Sequence, residues 1–82
     1  MDKYNTQEHT DLMYRIAKLT VQKFKLEMID HWDVGEALQF EFVSTELQKV
    51  ISEYINIYER RPPFDSIDDA LKLIKEVEAN DK

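Results

Sequence analysis

The sequence predicts an all-α fold: a long antiparallel helical hairpin with a third, C-terminal helix packed against it. Three observations lead there. The 82 residues include one Gly and two Pro, too few for the turns of a sandwich or barrel. Apolar residues recur at helical spacing in three separate stretches. Between the stretches stand residues that stop and start helices, with no repeat, linker or low-complexity run. The length confines the chain to one small domain, residues 1–82. A composition of 43% hydrophobic residues is too apolar for disorder even with 34% charged.

The first helix is expected over about residues 7–30, with Leu12, Met13, Ile16, Ala17, Val21, Phe24 and Met28 on one face and Leu19, Leu26 and Ile29 extending it. The second is expected over about 33–60. Asp33 with Glu36 three residues on reads as a capping box, and Trp32 with Ala37 occupies the positions of a hydrophobic staple. Phe40, Val43, Leu47, Val50, Tyr54 and Ile57 form a 3-4-3-4-3 seam, widened by Ile51, Ile55 and Tyr58 so that two neighbours are expected. Arg61 before Pro62 closes this helix, because the residue before proline is pushed out of the helical region. The third helix is expected over about 66–79. Ser66 with Asp69 approaches a capping box, Asp65 and Asp68 suit the positive helix start, and Ile67, Ala70, Leu71, Ile74 and Val77 follow at helical steps. The short Asp30–Asp33 connection makes helices 1 and 2 antiparallel neighbours. A second reading stands beside this one. Residues 24–28 and 38–42 both alternate apolar with polar, so an α+β fold with a β-hairpin at about 23–43 is also readable.

Composition excludes several function classes. Gly35 alone cannot build a GxGxxG or GxxxxGK phosphate loop. The absence of Cys removes disulfides, thiolate nucleophiles and cysteine zinc sites. The N-terminal residues are polar and no run approaches the length of a membrane span, which leads to the expectation of a soluble, cytoplasmic protein with no membrane partner. Net charge is −6, and it is unevenly placed. Residues 1–29 carry five bases and four acids, whereas Lys25 to Lys49 encloses Glu27, Asp30, Asp33, Glu36, Glu41 and Glu46 with no base. Such a middle favours a basic surface over nucleic acid, although Arg15, Lys18 and Lys25 lie at helical spacing.

The leading reading assigns no catalytic residue, cofactor or metal. Ser44 and Ser66 lack a nearby histidine, and Glu27 with His31 is a surface chelate at most. Glu8-x-x-Asp11 and Glu27-x-x-Asp30 each put two carboxylates on a helix face. These steps resemble the acidic pairs of the MazG-like nucleoside triphosphate pyrophosphatases, which implies a metal-dependent nucleotide hydrolase; here both steps fall on one helix, whereas that family brings them together from two. The stretch from Val50 to Lys75, with Arg61-Pro62-Pro63-Phe64 between two helices, resembles the start of LexA-type winged helix-turn-helix domains. That resemblance implies a degenerate DNA-binding regulator, since no basic recognition helix follows.

The leading functional expectation comes from surplus apolar surface. Val34, Leu38 and Phe42 lie on one line of helix 2, roughly opposite Phe40, Val43 and Leu47, and three helices cannot cover both lines. With Asp30 and Glu36 from the acidic middle, these residues form a candidate interface for a second copy or a protein partner, making the chain a non-enzymatic helical interaction or regulatory module.

Overall fold

A computed structural model describes residues 4–64 and 66–80. Among them are three helices and no strand: α1 (Gln7–Glu27), α2 (Val34–Tyr58) and α3 (Ile67–Asn80). The β-hairpin reading of 23–43 is thereby overturned, and the alternation there belongs to two half-covered helices. Asp65, expected at the start of the third helix, lies outside the described residues.

α1 begins at Thr6, whose hydroxyl accepts from the His9 N–H at 3.1 Å. It ends at Glu27, three residues before the expected Asp30. The stop is a local turn: the Trp32 indole N–H donates to the Leu26 carbonyl at 2.8 Å, and the Met28 and Ile29 N–H groups turn back on the last carbonyls of the helix. At the start of α2 the expected capping box is present. The Glu36 N–H reaches Asp33 Oδ1 at 2.7 Å, and the Asp33 N–H reaches the Glu36 carboxylate at 3.2 Å. The staple is redrawn, since Trp32 packs on Phe40 with ring centroids 4.7 Å apart while Ala37 is exposed. α2 ends at Tyr58, two residues short of expectation, where Glu59 takes a left-handed conformation (φ 58°) and its N–H bonds Ile55 O. α3 starts after Ser66, whose hydroxyl accepts from the Asp69 N–H at a long 3.4 Å.

α1 is the central element. It packs against both α2 and α3, and those two make no close backbone approach to each other. The expected second helical neighbour of α2 is therefore absent, and the third helix packs against the hairpin, as expected, through α1. One core joins Ile16 to Leu47, Val50, Tyr54 and Tyr58; the other joins Ala17 and Val21 to Ala70, with Phe64 in contact with both. The expected seam holds from Val43 to Tyr54. At its end Tyr58 is buried in place of Ile57, which is 56% exposed. A strict 3-4 series drifts around a straight helix by about 20° per heptad, so the next inward position moves one residue on.

Candidate functional site

The two ends of the hairpin differ in what they offer. At the end where α1 begins and α2 finishes, His9 is 5% exposed. Its Nε2 lies 2.8 Å from the Tyr54 hydroxyl and 3.4 Å from an Arg60 guanidinium nitrogen, and Arg60 Nε also donates to the Tyr54 hydroxyl at 3.1 Å. A guanidinium can only donate, so this set is satisfied when His9 Nε2 accepts and the Tyr54 proton points to it. Tyr4 closes the cluster from outside. Its hydroxyl donates to the Tyr58 carbonyl at 3.0 Å, and the Arg60 guanidinium lies 4.0 Å from the centre of its ring. His9 also meets the Tyr58 ring edge-on, with centroids 4.7 Å apart. This cluster ties the N-terminal segment, α1 and the end of α2 together and buries the imidazole. Sequence reasoning missed it; the only hint was a histidine one turn before Leu12 and Met13, on the side of α1 that turns inward.

At the opposite end the helices are uncovered. The large exposed hydrophobics include Phe24, Met28, Ile29, Trp32, Val34, Leu38 and Phe42, all within residues 24–42. No residue of α2 before Val43 is buried. The expected line is on the surface: Val34 is 78% exposed, Leu38 62% and Phe42 66%. Asp30 is exposed in the connection. Glu36 plays a different part from the one expected, being half-buried with its carboxylate engaged in the cap of α2. Lys49, on the same outer side of α2, is exposed.

The acidic pairs are not brought together. Glu8 and Asp11 lie in the first turns of α1, with Asp11 accepting from the Gln7 amide at 2.7 Å. Glu27 is its last residue, roughly 24 Å from Asp11 and roughly 28 Å from Glu8 at 1.5 Å per residue, and Asp30 is beyond the helix. The same helix end removes the one-turn relation of Glu27 to His31. Among the described residues no group of three or more His, Asp or Glu side chains is placed to hold a metal ion. Of the three basic residues at helical spacing, Arg15 pairs with Glu46 at 3.2 Å and Lys18 lies 5.3 Å from the centre of the Tyr14 ring. Between α2 and α3 the side of α1 floors an open groove of about 580 Å³, with Ile16, Phe24, Ile51, Phe64 and Ile67 along it and Lys23, Glu27 and Arg61 at the rim. No helix of the described residues is long and apolar enough to cross a membrane.

Compared with known protein families, with curated proteins and with solved structures, the chain matches none.

Proposed function

We propose that this chain is a non-enzymatic, cytoplasmic interaction module that associates with itself through the outer face of the hairpin end. The observation that carries the reading is the exposure of Val34, Leu38 and Phe42 in a single line. An amphipathic helix on a small domain turns its apolar side inward and its polar side outward. α2 keeps an inward seam from Val43 to Tyr58, with Ile55 and Ile57 exposed beside it, yet over residues 34–42 three large apolar side chains are exposed and no residue is buried. A contiguous apolar surface of this kind marks a contact with another protein. The acids around it keep the isolated chain soluble and disfavour nucleic acid.

Sedimentation equilibrium of the intact chain tests the reading. A dimer is expected at micromolar concentration, and Phe42→Glu is expected to give monomer with unchanged helicity by circular dichroism. A wild-type chain that stays monomeric at the highest soluble concentration would refute it.

A further inference from the structure

The outer face of α2 carries more information than its three apolar residues. At helical steps of three and four, Gly35, Leu38, Phe42, Thr45 and Lys49 form one stripe, on the side opposite the buried Val43, Leu47, Val50 and Tyr54. All five stripe residues are exposed. Gly35, the single glycine of the chain, stands in the first turn of α2. Its φ is not positive. A Cβ built there would meet only the Asp33 Oδ1 atom, at 3.4 Å. Nothing within the fold of one chain therefore requires glycine, although glycine weakens a helix relative to alanine. A second backbone or a bulky ring packed against that position would use the space that a side chain at 35 fills.

The stripe is also polarised. Its N-terminal end adjoins the acids Asp30 and Asp33 in the connection, and its C-terminal end is Lys49, the first base after Lys25. Two copies side by side in parallel would set acids against acids. Two antiparallel copies set Lys49 toward the acids.

We propose that a second copy of this chain packs antiparallel on α2 about a two-fold axis passing by Leu38. In that register residue n faces residue 76 − n, as an isologous contact requires. Leu38 meets its own counterpart, Val34 faces Phe42 of the second copy, and that phenyl ring fills the space above Gly35. Lys49 passes beyond the start of the other α2 and, its side chain leaning toward its own N-terminus, reaches back to the acidic connection. The stripe thus accounts for the glycine, the apolar line and the lone base together. The inference rests on the self-association proposed above, and its test separates the two.

Because the chain has no cysteine, a single introduced thiol reports its own distance to the second copy. Leu38→Cys and Val34→Cys, each checked for unchanged helicity, are oxidised under identical mild conditions at a concentration where the wild type is dimeric. Leu38→Cys is expected to form the disulfide-linked dimer roughly tenfold faster than Val34→Cys, since only residues on the axis bring the two Cα atoms within bridging distance. A mixture of Val34→Cys with Phe42→Cys should link faster than either alone. Gly35→Leu, which strengthens the isolated helix, should raise the dimer dissociation constant by roughly tenfold or more. A dimer in which Val34→Cys links as fast as Leu38→Cys, or which tolerates Gly35→Leu, overturns the antiparallel arrangement and leaves self-association standing. A monomeric wild type overturns both.

Discussion

The two ends of the α1–α2 hairpin both carry large apolar side chains, but only one of them buries a cluster of rings. Around His9, Tyr54, Tyr58 and Tyr4, rings meet rings and each polar atom at the centre has a partner on another segment. From Phe24 to Phe42, comparable numbers of apolar side chains stand in solvent. The difference lies in what covers α1. α3 runs along its first two thirds, with Tyr14 bonding Glu78 at 2.9 Å and Ala70 packed near Ala17 and Val21, and stops short of the connection. Beyond that point only two helices remain. A pair of helices cannot bury more than one stripe on each, so apolar residues placed elsewhere on them stay exposed to solvent. One end is closed by its own aromatic rings, and the other is left uncovered.

Three substitutions would break or confirm that contrast. Tyr54→Ala at the closed end should cost about 3–5 kcal/mol in urea unfolding, because it removes a fully buried ring together with the hydroxyl that bonds His9 and Arg60. Within α2, Leu47→Ala should cost about 2–5 kcal/mol, while Phe42→Ala, measured where the protein is monomeric, should change stability by no more than about 0.5 kcal/mol. Equal losses at Leu47 and Phe42 would mean that the open end is packed after all.

The helix caps sharpen the comparison on a smaller scale. Asp33 makes a 2.7 Å bond in a reciprocal box, whereas the bond that the Ser66 hydroxyl accepts is 3.4 Å long. Asp33→Ala should therefore cost about 1–2 kcal/mol and Ser66→Ala about 0.5 kcal/mol, read from denaturation midpoints. Because Asp33 begins the uncovered half of α2, its loss should fray the hairpin end first. Hydrogen exchange would show this as faster exchange over the first turns of α2 with protection around Val50 retained.

What could be read from sequence was what is local. Asp33-x-x-Glu36 specifies a cap through groups three residues apart, and the seam from Val43 to Tyr54 follows from helix periodicity alone. The line of Val34, Leu38 and Phe42 was legible for the same reason, since three helices leave no partner for a second stripe. The end of α1 was not, because its stop depends on the Trp32 indole reaching back to Leu26. The exchange of Ile57 for Tyr58 reflects helix drift combined with the Tyr4 bond to the Tyr58 carbonyl, a contact between residues 54 apart. His9 lay hidden likewise, its partner Tyr54 being 45 residues away.

Ser44 marks the boundary between the two halves of α2, directly after Phe42, which is exposed, and Val43, the first buried residue of the helix. Its hydroxyl oxygen is shielded from solvent and has no hydrogen-bond partner among the described residues. Serine in a helix interior is already inferior to alanine by a few tenths of a kcal/mol, and a shielded hydroxyl without a partner adds desolvation that no bond repays. Ser44→Ala should accordingly raise stability by about 0.5–1 kcal/mol, seen as a higher urea midpoint with an unchanged slope. The sign is what matters. A gain places the start of the dry core at Val43, with the residues before it free for a partner. A loss would show that the hydroxyl is bonded in solution and that the covered region of α2 begins earlier than Val43.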